Sequence, residues 1–185
     1  MLLNIYKLRM PTYKCEKGCC DLKIEPYDQT ISTSHIRRRR RKAGVFIYDP
    51  LSDRILIVQS RGKLWGLPKG TVNIGETERN CAVREAKEEI GLAISIEEFC
   101  KAMKVKNRAI YFYLEREACE VKVQNHIPDN DANGVSWIKV DCIKDLIENG
   151  NIDVNRHCRM AFKRFINVNL PDAPTFHVVG EKKHK

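Results

Sequence analysis

The strongest pattern in the chain is a pair of apolar runs. Residues 43–48 are nearly all apolar, 54–59 are apolar between Arg54 and Gln59, and Asp49, Pro50, Ser52 and Asp53 lie between the two runs. Unbroken apolar stretches of this length predict strands buried on both faces, and the polar spacer predicts a turn, so the two runs are expected to form a hairpin. A polar, basic loop follows at residues 60–63, then Trp65, Gly66, Leu67 and Pro68 lead into Lys69 and Gly70. From Thr77 to Glu89 the period changes. Cys81, Ala82, Ala86 and Ile90 recur mostly at four-residue steps, which makes the core-facing stripe of a helix. Thr77 is its expected N-cap, and Gly91 sits where a helix end favours a left-handed residue.

Further on, residues 109–114, 120–124 and 135–140 read as strands. The segment 129–134 reads as a loop, 143–148 as a short helix and 155–165 as a longer one. The apolar face of the longer helix carries Cys158, Ala161, Phe162 and Phe165. Residues 1–35 show no regular period, and neither does the tail from 171. The expected organisation is an N-terminal basic, cysteine-containing extension (1–40), one domain (41–168) and a C-terminal tail (169–185). A chain of 185 residues suits a single domain with a sizeable core.

Composition adds three things. The longest clean apolar run is six residues, far short of a membrane span, and the N-terminus is too short and polar for a signal peptide, so a cytoplasmic or nuclear location is expected. The net charge is +9, and residues 1–42 hold eleven Lys/Arg against four Asp/Glu. Most of that excess is the run Arg37, Arg38, Arg39, Arg40, Arg41 and Lys42, which is either an RNA-binding track or a solvated basic linker or nuclear address. Eight cysteines in such a compartment argue for thiols rather than disulfides. Cys15, Cys19 and Cys20 cluster as one end of a zinc pattern, with His35 as the fourth candidate ligand. Ordinary reduced thiols are the preferred reading of that cluster.

The charges on the 77–89 helix carry the chemistry. Glu85, Glu88 and Glu89 stand at i, i+3 and i+4, so they share one face, where like charges repel. A hard divalent cation, Mg²⁺ or Mn²⁺, would offset that repulsion through oxygen ligands. Arg84, beside the cluster, is placed to pair with Glu76 and hold the preceding loop on the helix.

Taken together, Gly70, Glu76, Arg84, Glu85, Ala86, Glu88, Glu89, Gly91 and Leu92 occupy the defined positions of a 23-residue signature. The segment resembles the Nudix box at each of them. The resemblance covers about residues 41–168 and implies an α/β fold, an α/β/α sandwich around a mixed β-sheet. It also implies hydrolysis of a diphosphate bond in a nucleotide-containing substrate. By the same resemblance Glu85, Glu88 and Glu89 bind the metals, the Gly70 carbonyl adds a ligand, and Glu76, Arg84 and Gly91 support the box. Many relatives use a distal acid. Asp131 is the first candidate here and Asp129 the second, against a plain turn-forming role.

The box does not select a substrate. The approach Trp65, Gly66, Leu67, Pro68, Lys69, Gly70 resembles that of mRNA-decapping Nudix enzymes, and its end resembles dinucleoside polyphosphate hydrolases. Lys69, with Arg61 and Lys63 ahead of it, are the phosphate-binding candidates, and surface roles are the alternative. Trp65 reads as core before base-stacking platform. Three functions stay open. The first is an RNA-cap hydrolase releasing a nucleoside diphosphate, of the general kind that large DNA viruses encode. The second is a dinucleoside or diphosphoinositol polyphosphate hydrolase. The third is an RNA-binding protein on a non-catalytic Nudix scaffold.

Overall fold

The computed structural model describes residues 12–24, 40–105, 108–128 and 130–167. The first apolar run forms β3 (Lys42–Asp49) and the second β4 (Arg54–Ser60), paired antiparallel around the 49–53 turn. Period two then decides which layer each side chain joins. Val45, Ile47, Leu56 and Val58 enter one apolar cluster, whereas Phe46, Ile55 and Ile57 enter the other. Both faces are covered, which is why these strands read as continuous apolar runs.

The sheet is mixed. Its main path runs β1 (Thr12–Lys14), β2 (Asp21–Ile24), β9 (Ala132–Lys139), β4, β3, β8 (Ala109–Glu115) and β7 (Lys101–Val105). β5 (Leu64–Gly66) adds to β4, β6 (Lys69–Thr71) to β3, and the short β10 (Asp153–Val154) to β5. The β3–β8 and β5–β10 pairs are parallel and the other ladders antiparallel. Helix α1 (Glu78–Ile90) packs one face through Cys81, Ala82, Ala86 and Ile90. Helices α2 (Val140–Glu148) and α3 (Arg156–Ile166) cover the other through Cys142, Ile143, Cys158 and Phe162. The result is the expected α/β/α sandwich.

Thr77 caps α1 by accepting from the Asn80 amide at 3.2 Å, and Gly91 ends it at φ 73°, where its amide donates back to Lys87 O. Trp65 is buried in the core, in agreement with its apolar surroundings in the sequence.

Three expectations need correction. Residues 120–124 form no strand. Val121 and Val123 pack against the α1 layer, and the Gln124 amide donates to Glu89 O at 3.3 Å, so their alternation serves packing and not a ladder. β7 was hidden because Lys101 and Lys104 interrupt the apolar residues, of which Met103 and Val105 are buried. Finally, the region read as an irregular extension contains β1 and β2. Lys23 and Ile24 pair with Val135 and Gly134 of β9, so part of the residue 1–40 segment belongs to the sheet.

Candidate active site

The site forms where α1 crosses the β3–β6 ladder. Gly44 of β3 faces Lys69 of β6, and Ala43 faces Gly70. Gly70 is required by space, because a Cβ there would lie 1.9 Å from the Glu85 carboxyl carbon. The Glu85 carboxylate therefore lies directly against the strand. One turn further, Glu89 is 5% exposed and accepts the Lys69 backbone amide at 2.9 Å. Burial pushes the Glu89 carboxyl up to about 8, against the pull of the Lys69 charge, and the charges of Glu85 and Asp131 add to the rise. Burial also raises Glu85, opposed by Arg84. Glu88 is the most open of the three, with its side chain 39% exposed against 12% for Glu85.

Arg84 is the local counter-charge. Its guanidinium pairs with both Glu76 oxygens at 2.8 and 3.0 Å, with Glu85 at 2.7 Å and with Glu88 at 2.9 Å, and it donates to Thr71 O. Those carboxylates, Glu76 first, raise its own pKa further. Glu76 also accepts the Asn73 amide, so the loop between β6 and α1 is tied to the helix through one arginine.

The structure brings Asp131 to the same region, since its charge acts on both Glu89 and Lys69, but its carboxylate is already paired with Arg61 Nε at 2.8 Å. Arg61 holds φ 55° in the β4–β5 turn and donates its amide to Asp131 O. This arginine thus orients the acid. Lys63 is exposed in the same turn, and Lys69 is partly buried beside Glu89.

Arg40 is exposed. The Arg41 side chain, 67% exposed, pairs its guanidinium with Glu78, and the Arg41 carbonyl accepts the Val72 amide. Arg37, Arg38, Arg39, His35 and Asp129 lie outside the described residues.

Two residues escaped the sequence reading. Lys42 is partly buried in β3 and donates to Thr71 Oγ1 at 3.3 Å. Burial lowers its pKa, as does the nearby Lys69, while Asp131, Glu85 and Glu89 oppose the fall. In the sequence it is only the last member of the basic run. His157, on α3, has a buried Nδ1 with no partner among the described residues. Burial lowers its pKa, followed by the charges of Lys69, Lys42, Arg156 and Arg108. No sequence signal marks it.

The donor set fits a hard divalent cation. Glu85, Glu88 and Glu89 offer carboxylate oxygens from one helix face, and Gly70 keeps the strand clear of Glu85.

Comparison with known proteins agrees with this geometry. The NUDIX domain family matches residues 38–158. The chain is 29% identical over 149 residues to "Putative hydrolase 111R" of Invertebrate iridescent virus 3, covering 78% of this chain and 87% of that protein. Over 56 residues it is 43% identical to the m7GpppN-mRNA hydrolase dcap-2 of Caenorhabditis elegans, covering 29% of this chain but only 7% of that protein. In fold it resembles the E. coli dihydroneopterin triphosphate pyrophosphohydrolase, with 19% identity and a TM-score of 0.52 over 70% of this chain and 96% of that one. With the box intact in sequence and the family model matching most of its length, the chain belongs to the Nudix family and is a hydrolase of diphosphate bonds.

Proposed function

We propose that the chain hydrolyses one phosphoanhydride bond in the triphosphate bridge of a capped RNA 5′ end, releasing a nucleoside diphosphate and leaving a 5′-monophosphate on the RNA, using Mg²⁺ or Mn²⁺ held by Glu85, Glu88, Glu89 and the Gly70 carbonyl. The observation that carries this reading is the pair of lysines beside the acidic helix face: the Lys69 amide donates to Glu89, and Lys42 stands opposite Thr71 on the strand paired with β6. The charges of Lys42, Lys69, Arg108 and Arg156 converge on His157, and Lys42 and Lys69 also act on the glutamates. Such an edge suits a polyphosphate chain entering beside the carboxylates. The basic run at 37–41, upstream in sequence of β3, suits an RNA body without reading its sequence. The likeness of one segment to an mRNA cap hydrolase supports the same substrate.

An ion held by these carboxylates would supply charge to offset that of the phosphates and would lower the pKa of water beside it. The protein's own groups do the rest. Glu85 is held by Arg84 in the space that Gly70 leaves, and Glu89 by the Lys69 amide. Glu88, more open, faces the substrate side. Lys69 and Lys42 steady the phosphates. The proton of the attacking water passes to a carboxylate of the cluster or to Asp131, which Arg61 orients.

The test is a panel with Mg²⁺ or Mn²⁺: capped RNA, free cap dinucleotide, diadenosine polyphosphates and diphosphoinositols. Preferred turnover of capped RNA with release of a nucleoside diphosphate supports the proposal. Preferred turnover of a small polyphosphate replaces the substrate and leaves the site intact. RNA binding with no turnover of any compound favours the scaffold reading.

A further inference from the structure

Four cysteines meet on the face of the sheet opposite α1. Cys15, Cys19 and Cys20 come from the turn between β1 and β2, and Cys142 from the first turn of α2. Cys19 Sγ lies 3.6 Å from Cys15 Sγ, 3.7 Å from Cys20 Sγ and 3.5 Å from Cys142 Sγ. All four sulfurs lie within 4.8 Å of one another. A tetrahedral zinc–thiolate centre, with Zn–S bonds of about 2.3 Å, places its sulfurs about 3.8 Å apart. The cluster already has those dimensions. A disulfide needs sulfurs about 2.05 Å apart, and none of the three distances approaches that.

We propose that Cys15, Cys19, Cys20 and Cys142 bind one structural zinc ion that fastens the N-terminal hairpin to α2. The turn is shaped for it. Gly18 takes φ 67° and donates to Cys15 O at 2.8 Å, while the Cys15 amide donates to Cys20 O at 3.1 Å, so the chain doubles back and presents three sulfurs to one point. Nearby groups suit a thiolate centre. The Lys139 amide donates to Cys20 Sγ at 3.4 Å, the Arg54 guanidinium donates to Cys19 O at 3.2 Å, and Cys142 stands in the first turn of α2, the positive end of that helix. Lys17 and Asp145 pair at 3.0 Å across the same junction. Other buried cysteines are placed differently. Cys158, for example, meets the Tyr111 hydroxyl and the Leu67 amide and no other sulfur among the described residues.

The metal has a structural task. β1 and β2 span only three and four residues, and hairpins of that size are marginal alone. Only two residues of β2 pair with β9. Binding releases the thiol protons, and the occupied site carries two negative charges. It is separate from the carboxylates on α1 and independent of the substrate assigned above.

The test uses the full chain, expressed with added zinc, purified under reductant and passed through a desalting column. Elemental analysis is expected to find about one zinc per chain, as a four-thiolate site retains its ion. Cobalt exchanged into the protein should give the visible bands of tetrahedral thiolate coordination. Of the three exposed thiols, Cys100 and Cys119 should react with a disulfide-exchange reagent at once, whereas Cys19 should resist it until the metal is stripped. Cys19→Ser and Cys142→Ser should each lower zinc content at least about fivefold, whereas Cys119→Ser and Glu88→Gln keep it. Should the serine variants fail to fold, cobalt spectra and thiol protection of the unsubstituted chain still decide. The proposal is overturned by wild-type protein with less than about a tenth of an equivalent of zinc and no thiolate cobalt bands. It is equally overturned by an intact mass showing a disulfide within the cluster in protein kept under reductant, or by zinc that is lost in Glu88→Gln and kept in Cys142→Ser.

Discussion

Replacing Gly70 by alanine tests the active-site geometry with a single methyl group. The added Cβ would sit 1.9 Å from both the carboxyl carbon and Oε1 of Glu85, and 2.1 Å from Oε2. Ordinary contact needs about 3.5 Å or more, so the carboxylate must move by more than about 1 Å. It is the end of a side chain, so it can swing, at the expense of its 2.7 Å pair with Arg84. The stability cost should therefore be moderate, about 1–3 kcal/mol, as for an overpacked site. Activity should fall much further, since a displacement of about 1 Å in a positioned group costs about a hundredfold. Melting temperature and steady-state hydrolysis of the best substrate in the panel separate the two effects. The double variant Gly70→Ala/Glu85→Gln adds the decisive comparison: if the methyl acts through Glu85, the double variant should be no slower than Glu85→Gln alone. Retention of more than about a third of wild-type activity in Gly70→Ala, far above that hundredfold scale, would refute the placement of Glu85 in the site. Fully additive losses would show that the methyl acts elsewhere.

Glu88→Gln and Glu89→Gln should each lose at least about a hundredfold in turnover while keeping the wild-type circular dichroism spectrum, and a variant above about a third of normal activity removes its residue from the catalytic set. EDTA should stop hydrolysis and either Mg²⁺ or Mn²⁺ restore it; recovery with neither contradicts an oxygen-ligand site. In the metal-free protein, Glu89 keeps its proton up to about 8, while in the unfolded chain it ionises near 4.5, so stability should fall as pH rises between those values, by up to about 1.4 kcal/mol per unit. Urea unfolding in EDTA at several pH values measures this, and a slope unchanged in Glu89→Gln would disprove the assignment. Replacing Arg37 to Arg40 with serine, leaving Arg41 on Glu78, should weaken binding of long capped RNA and flatten its salt dependence by about 0.7 per lost phosphate contact. Cleavage of the free cap dinucleotide should not change; equal loss on both would place those arginines in the cleft or the fold.

The parts of the molecule legible in the sequence are those specified locally. α1 is written in its own spacing: Thr77 to cap it, a stripe at helical steps, three glutamates on one face and Gly91 to end it. β3 and β4 are legible because burial on both faces leaves little but apolar residues. What was not legible depends on distant partners. β1 and β2 carry few apolar side chains and gain order from β9 and the cysteine junction. Cys142 is 123 positions from Cys19, so the cluster showed three members and its fourth was sought at His35. Lys42 was masked by the arginines before it, and the pairing of Asp131 with Arg61 spans 70 residues. Residues 120–124 misled for the converse reason, because an extended segment lying on a helix alternates as a strand does.

Arg84 behaves as a tethered competitor for the catalytic ions. Any cation that reaches Glu85 and Glu88 must first take them from a guanidinium that Glu76 holds within 3.0 Å, so its net affinity is a difference between two attractions. Ions held there would therefore be weakly kept and readily exchanged. One guanidinium shared among Glu76, Glu85 and Glu88 offsets part of their repulsion when no ion is bound. Dialysis should therefore remove such ions and leave the fold in place, with the rate following the free metal concentration around it.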